Sequence, residues 1–461
     1  MNSEVRLSAQ QVSPSVVGRK LPARRYNHGT MKPRILLVNP PIYDFAAYDF
    51  WLKPYGLLSV AGYIRGKAQL LLFDYLDRLH PFAAAQPQLQ SDPWGRGRFY
   101  SEKTSAPTCL RQIPRYFQRF GLPREMFRDL LRQPDPFDFA LVQTTMTYWY
   151  PGVREVLQDI RKYHPETKIV LGGSYATICA NHAHTLGADL LVRGTNLDPL
   201  WQFTAIIPDT NQPALWEAYN NLEVGVLKLS QGCPFDCTYC SVPNVYGRFK
   251  PRPLDRSIAE FELLTKLGVR NIAFYDDALL FDPDKVLTPF LTELIKHNTG
   301  INFHTPNALN ARFVTPQLAD LMVQAGFKTF YLGFESASIE WQRSTGSKVS
   351  CDELAQAVRH LIAAGADPAN ITAYQILGHP NTNIQQLETS MQFVSSLGIR
   401  GMLADFSPIP GTPDGERCRQ WVNIDEPLMH NKTAFPIILL GFSETNRLKD
   451  LQRRLNRERQ A

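Results

Sequence analysis

The sequence predicts an α/β protein in two parts: an N-terminal doubly wound (Rossmann-like) parallel sheet, then a partial (β/α)6 TIM-type barrel. Three observations carry that reading. Over residues 33–195, short apolar runs closing on Asn, Pro or Gly alternate with helical patterns, and such alternation makes a parallel sheet covered by helices. Over residues 223–440 the strand–helix rhythm recurs six times, too few for a closed eight-stranded barrel. Between them, residues 196–222 carry Pro199, Pro208 and Pro213 with little periodicity and read as a linker.

In the first part, strands are expected at 34–38, 69–73, 139–143, 168–171 and 189–192, with helices near 54–65 and 153–163. Ligands of such sheets sit at the carboxyl ends of the strands. The first strand runs into Asn39-Pro40-Pro41 with no G-x-G-x-x-G, so a nicotinamide or flavin dinucleotide is not expected. An insertion at 76–137, rich in Pro, Arg, Gln and aromatics, has a helical pattern within 110–131. A connection of that length reads as functional, such as a lid.

In the second part, strands are expected at 224–230, 269–275, 301–304, 329–334, 371–376 and 401–406. Helices lie between them at 257–267, 283–297, 316–325, 352–364 and 384–397. Functional residues of βα barrels stand at the carboxyl ends of the strands. Those ends hold, in order, a cysteine loop, Tyr275-Asp276-Asp277, Thr305-Pro306-Asn307, Gly333-Phe334-Glu335-Ser336, Gly378-His379-Pro380 and a Pro/Gly run from Ser407 to Pro413. Residues 441–461 form a basic amphipathic helix whose Leu448, Leu451 and Leu455 would pack on the barrel.

Composition narrows the function. The chain has 461 residues, 44% of them hydrophobic, and a net charge of +6. Five basic residues against one acid lie in 1–30, and six against two in 447–461, which leaves the body slightly acidic. No basic face argues for a nucleic-acid partner, and the ends read as solvated tails, 1–32 as a disordered one. Seven cysteines without a pairing pattern suit a reducing compartment; with no apolar run long enough to span a bilayer and no signal-peptide core, the cytoplasm is expected.

The loop Gln231-Gly232-Cys233-Pro234-Phe235-Asp236-Cys237-Thr238-Tyr239-Cys240 is C-x3-C-x2-C, an aromatic preceding its last cysteine. Three thiolates this close can wrap one face of an iron–sulfur cluster, which normally takes four. No fourth ligand stands nearby, which disfavours a closed zinc site and leaves one metal position open for chemistry.

On these cysteines the chain resembles the radical S-adenosylmethionine (radical SAM) superfamily. Gly333–Ser336, the stretch from Tyr374 to Pro380 and that from Pro408 to Pro413 resemble the members that carry an N-terminal cobalamin-binding-like domain. Asn39-Pro40-Pro41, Tyr55-Gly56-Leu57 and Leu171-Gly172-Gly173 resemble that domain itself. The resemblance implies that Cys233, Cys237 and Cys240 hold a [4Fe-4S] cluster whose open iron is chelated by SAM. Reductive cleavage of SAM would then start radical chemistry, with hydrogen abstraction or cobalamin-dependent methylation as outcomes. It also implies cofactor contacts from Tyr239, Asp276, Asp277, Asn307, Glu335, Ser336 and Gly378, the glycine admitting close approach of backbone to ligand. Expected partners are a small-molecule or lipid-like substrate and an electron donor such as flavodoxin or ferredoxin.

The departures are specific. The cobalamin-ligating Asp-x-His-x-x-Gly is absent, although relatives bind cobalamin without it. The methylthiotransferase branch carries three cluster cysteines in its N-terminal domain, whereas here there are Cys109 and Cys179. His379 is a candidate proton donor, set against a purely hydrogen-bonding role. A second reading is a non-catalytic corrinoid or small-ligand binding or sensing protein on a degenerate barrel.

Overall fold

The computed structural model describes residues 32–297, 300–346 and 349–459; the expected basic tail, apart from Lys32, lies outside the described residues. The first sheet is parallel and five-stranded: Gln69–Asp74, Arg34–Asn39, Phe139–Thr144, Lys168–Gly173 and Leu190–Val192, side by side in that order. Its alternating residues divide between two helix layers. Leu36, Val38, Ala140 and Val142 pack with Val153, Val156 and Ile160 of the helix Tyr150–Tyr163. Ile35, Leu37, Phe139 and Leu141 pack with Leu57 and Ala61 of the helix Tyr55–Tyr63 on the opposite face. Strands buried on both faces read as the continuous apolar runs seen in the sequence.

The second sheet runs in chain order through six parallel strands, Val224–Leu227, Asn271–Phe274, Asn302–His304, Phe327–Glu335, Ile371–Leu377 and Arg400–Asp405, with a short seventh, Leu309–Asn310, beside Phe327–Glu335. Its first and last strands do not pair among the described residues. The expected first strand is shorter, because the chain bends after Leu227 and re-pairs as Ser230–Gln231 with Lys250–Pro251. The C-terminal helix Phe442–Glu458 lies on the barrel: Leu448 is buried beside Leu377, Leu387 and Met391, with Leu451 and Leu455 against them.

Three regions differ from expectation. The helix read within 110–131 begins only at Arg124. Phe117–Phe120 is instead a strand between Ile42–Asp44 and Ser101–Thr104, a small antiparallel sheet. Alternation of Phe117, Arg119 and their neighbours set the geometry there, aided by a buried ion pair of Arg119 with Glu155 at 2.8 Å. Residues 196–222 hold the helix Asp198–Thr204 and bury Trp216, whose indole donates to Glu260 at 3.1 Å.

The third difference concerns the insertion, whose Trp94–Arg96 portion is not a lid over the barrel mouth. Gly95 lies against Val224, the first residue of the first barrel strand. Arg96 donates to the Tyr331 hydroxyl at 3.0 Å, and the Trp94 carbonyl accepts from the indole of Trp51 at 2.6 Å. Trp51 is 0% exposed and stacks on His304 at 4.4 Å. Aromatic surface from the N-terminal domain thus fills the amino-terminal half of the barrel interior, the half that serves stability in βα barrels.

Candidate functional site

The cysteine loop leaves the first barrel strand at the carboxyl end and is tied down on three sides. The Asp276 carboxylate, 2% exposed, accepts from the Leu229 amide at 3.0 Å and the Ser230 hydroxyl at 2.6 Å, fixing the approach to Cys233. The Cys233 amide donates to the Gly247 carbonyl at 3.3 Å, and the Thr238 amide to the Thr345 carbonyl at 3.1 Å. Asp414 closes the third side: its amide donates to the Thr238 carbonyl at 3.1 Å, and its carboxylate accepts from the Thr238 hydroxyl and from His379 Nε2 at 2.9 Å. Burial works against the Asp414 carboxylate, yet the hydrogen bonds from His379 and Thr238 hold its pKa below the ordinary value.

The strand ends bring part of the expected site together. Asn307 Nδ2 donates to the Asp276 carbonyl at 3.2 Å. Asp277 faces Lys228 at 3.6 Å. Tyr239 stands beside Cys237 and Glu335; burial first, then the Glu335 carboxylate, hold its phenol far above the ordinary pKa and so neutral. Glu335 itself sits at φ +60°, left-handed for a non-glycine residue, at a register shift between Gly333 and Glu335. Backbone of this kind costs about 1–3 kcal/mol and collects at functional sites. Gly346, at φ +132°, leaves space beside the loop: a Cβ there would lie 3.3 Å from the Cys237 sulfur.

Gly378, at φ +80°, packs against the chain's own C-terminal segment; a Cβ there would meet Pro436 of the helix Ala434–Leu440 at 2.7 Å. His379 is 1% exposed, with Nε2 directed at Asp414 and Nδ1 accepting from the Asn381 amide at 3.1 Å, so neither nitrogen is available to a substrate. It positions the cysteine loop through Asp414. Ser336 is engaged locally, its hydroxyl accepting from the Ser338 amide at 3.1 Å. Asp414 was not singled out in the sequence; the signal for it was weak, a carboxylate following the helix-capping Thr412-Pro413.

A cavity of about 560 Å³ opens beside this loop. One wall is the carboxyl edge of the first sheet, with Thr144, Gly172, Gly173 and Gly194; the other is the barrel, with Lys228, Ser230, Gln231, Tyr246 and Tyr275. Sites of doubly wound sheets fall at this edge. The domains are locked around it: the Tyr275 hydroxyl donates to the Trp51 carbonyl and accepts from the Lys53 amide, and Arg252 bridges Tyr55 at 3.0 Å and Glu260 at 2.5 Å.

No group of three His, Cys, Asp or Glu side chains among the described residues converges as one small ion would require. The three half-buried cysteines on a pinned loop fit a larger cluster that spreads its thiolate ligands.

Residues 227–394, which include the three cysteines of the loop, match the family model described as the Radical SAM superfamily. The domain that precedes it is a five-stranded parallel sheet covered by helices on both faces. Proteins of this superfamily use a [4Fe-4S] cluster and SAM. Its likenesses are to methyl- and methylthio-transferring proteins. It is 26% identical over 191 residues to an uncharacterized methyltransferase of Pyrococcus horikoshii, covering 41% of this chain and 40% of that protein. It is 32% identical over 149 residues to the ribosomal protein uS12 methylthiotransferase RimO of Trichlorobacter lovleyi, covering 31% of each. The match thus spans less than half the length of either curated relative. The fold is shared with the radical S-adenosylmethionine methyltransferase TsrM of Kitasatospora setae, solved with cobalamin and a [4Fe-4S] cluster. That match has a TM-score of 0.65 and 14% identity, and covers 91% of each chain. No helix among the described residues is long and apolar enough to cross a membrane.

Proposed function

We propose that this protein is a cobalamin-dependent radical SAM methyltransferase. The observation that carries the reading is a single cavity that takes one wall from the carboxyl edge of the N-terminal sheet and the other from Ser230 and Gln231, the residues entering the cysteine loop. In this reading Cys233, Cys237 and Cys240 hold the [4Fe-4S] cluster, and the edge formed by Thr144, Gly172, Gly173 and Gly194 receives a corrinoid. When bound, the cluster would supply the electron that cleaves SAM, drawn from a donor such as flavodoxin or ferredoxin, and cobalamin would carry the methyl group.

The chain's own residues have distinct tasks. Asp276, through Leu229 and Ser230, orients the cysteine loop, while His379 and Asp414 hold its far side. Glu335, Asp277 and Asn307 present hydrogen-bonding groups at the strand ends for the amino and ribose groups of SAM. Tyr239, kept neutral, offers a ring that stacks near Trp341 and can cover an adenine. Methyl transfer is favoured over methylthiolation by the two thiols of the N-terminal domain. The methylthiotransferase branch carries three cluster cysteines in its N-terminal domain, and this domain has only Cys109 and Cys179. The substrate is proposed to be a small or lipid-like molecule.

The test is anaerobic reconstitution with iron and sulfide, then assay with SAM, dithionite and hydroxocobalamin. Cluster absorbance, a corrinoid spectrum on the purified protein, and formation of 5′-deoxyadenosine or S-adenosylhomocysteine are expected. A cluster with SAM cleavage but no bound corrinoid would sink the cobalamin part alone; no cluster and no cleavage would sink the class of reaction.

A further inference from the structure

Five cations line the cavity, Lys53, Lys228, Lys250, Arg252 and Arg256, against one carboxylate, Glu260. Methyl transfer from a corrinoid does not by itself require them. Three are accounted for within the fold. Arg252 pairs with Glu260 at 2.5 Å, Lys228 reaches Asp277 at 3.6 Å, and Lys53 lies 4.7 Å from the centroid of the Tyr219 ring, its charge acting on buried Asp74.

Lys250 and Arg256 are different. Neither forms a close ion pair among the described residues; the Arg256 charge reaches Asp209, which does not line the cavity. Arg256 donates through Nη2 to the Thr210 carbonyl, while its Nε is buried without an acceptor. A buried donor left unmade is costly, so such a group normally has a ligand or water to serve. Arg256 also stands in the first turn of the helix Leu254–Lys266, where the helix dipole disfavours a cation; the two positive fields add instead of cancelling. Asp255 in the same turn is exposed and does not line the cavity. Lys250 is placed by strand pairing, opposite Gln231, two residues before Cys233. A low-dielectric cleft lined by one sign of charge concentrates ions of the other.

We propose that this wall is an oxyanion site, where Lys250 and Arg256 hold a phosphate or carboxylate beside the cysteine loop. Two molecules that enter the cavity would present such a group: the nucleotide phosphodiester of a corrinoid, or an anionic substrate. The guanidinium gives paired donors in a fixed fork, and the ammonium a mobile point charge.

Inorganic pyrophosphate is the probe, titrated calorimetrically into the full-length protein. It is expected to bind, and to bind about tenfold more weakly or worse in the double variant Lys250→Ala/Arg256→Ala, as loss of charge-assisted hydrogen bonds predicts. The charge-preserving pair Lys250→Arg/Arg256→Lys is expected to keep most of the affinity, which separates charge from folding. Hydroxocobalamin and cobinamide, which lacks the nucleotide phosphate, then identify the source. Cobalamin weakened in the double alanine variant with cobinamide unchanged assigns the phosphodiester; both unchanged assign an anionic substrate. No pyrophosphate binding to the wild type, or equal binding to the double alanine variant, overturns the site. Because pyrophosphate is measured without a corrinoid, a protein that binds it here but takes up no corrinoid refutes the cobalamin proposal and leaves the oxyanion site standing.

Discussion

At its amino end the barrel is filled by rings: Trp51 stacks on His304, with Phe50, Trp94 and Tyr331 packed around them. At its carboxyl end the same strands close on thiols, carboxylates and glycines: Cys233, Asp276, Asn307 and Glu335. The amino end uses its polar groups internally; both nitrogens of His304 are engaged, with Thr329 and Asn271 at 3.0 Å each. The carboxyl end keeps charge and strain, with Glu335 in a left-handed conformation and Lys228 only loosely paired. One end is built to stay together and the other to receive something, so substitutions at the two ends should fail in different ways.

The largest separation is expected from the cysteines. Cys233→Ala, Cys237→Ala or Cys240→Ala should abolish iron loading and SAM cleavage while leaving the unfolding transition of the apo protein nearly unchanged; a variant that still cleaves SAM breaks the assignment. Trp51→Ala should do the reverse. Removing a fully buried tryptophan typically costs about 3–5 kcal/mol, so denaturant unfolding should shift strongly while iron bound per folded molecule stays near wild type.

Gly346→Ala tests the carboxyl end more gently. A side chain at φ +132° is strained, and its Cβ would press within 3.3 Å of the Cys237 sulfur. The expected cost is about 1–3 kcal/mol, with a lower iron content measured after reconstitution; an unchanged iron-to-protein ratio would mean the loop tolerates the crowding.

The smallest predicted effect is in pH, and its sign differs between the ends. Burial lowers the His304 pKa from 6.5 to about 3, so the unfolded chain binds the extra proton between those values, and this contribution to stability is lost as pH falls below 6.5. Burial raises the Asp276 pKa from 3.8 to about 6, so the folded chain holds the extra proton, and this contribution is lost as pH rises from 3.8 through about 6. Each group can change stability by at most about 1.4 kcal/mol per pH unit. Between pH 4 and 6, His304→Gln should flatten the rise in stability with pH, and Asp276→Asn should flatten the fall. The same change of slope in both would contradict the opposed environments.

Much of this was legible in the chain. Apolar runs at Ile35–Val38 and Ile169–Leu171 are strands because both faces are covered, and the pattern says so without the helices being known. The cysteine spacing was readable as a candidate metal loop because the three thiols are adjacent in sequence. Asp276, Asn307 and Glu335 could be placed at the carboxyl ends of barrel strands because the strand pattern locates those ends. Gly378 shows the limit. Its need for a left-handed backbone was readable, but the neighbour that fills the space, Pro436, is 58 residues away. His379 is similar, since only its contact with Asp414 distinguishes a positioning residue from a proton donor.

By itself, the sequence determined the α/β class, the order of six barrel strands and the three thiols, because each depends on residues close together along the chain. The tertiary structure alone decided that Trp51 and Trp94 occupy the barrel's amino end, that Asp414 braces the cysteine loop, and that Lys250 and Arg256 share a cavity with Gly172 and Gly194. These contacts join segments dozens to hundreds of residues apart. Their energy is paid in burial and charge between surfaces, and no local pattern in either segment records its partner.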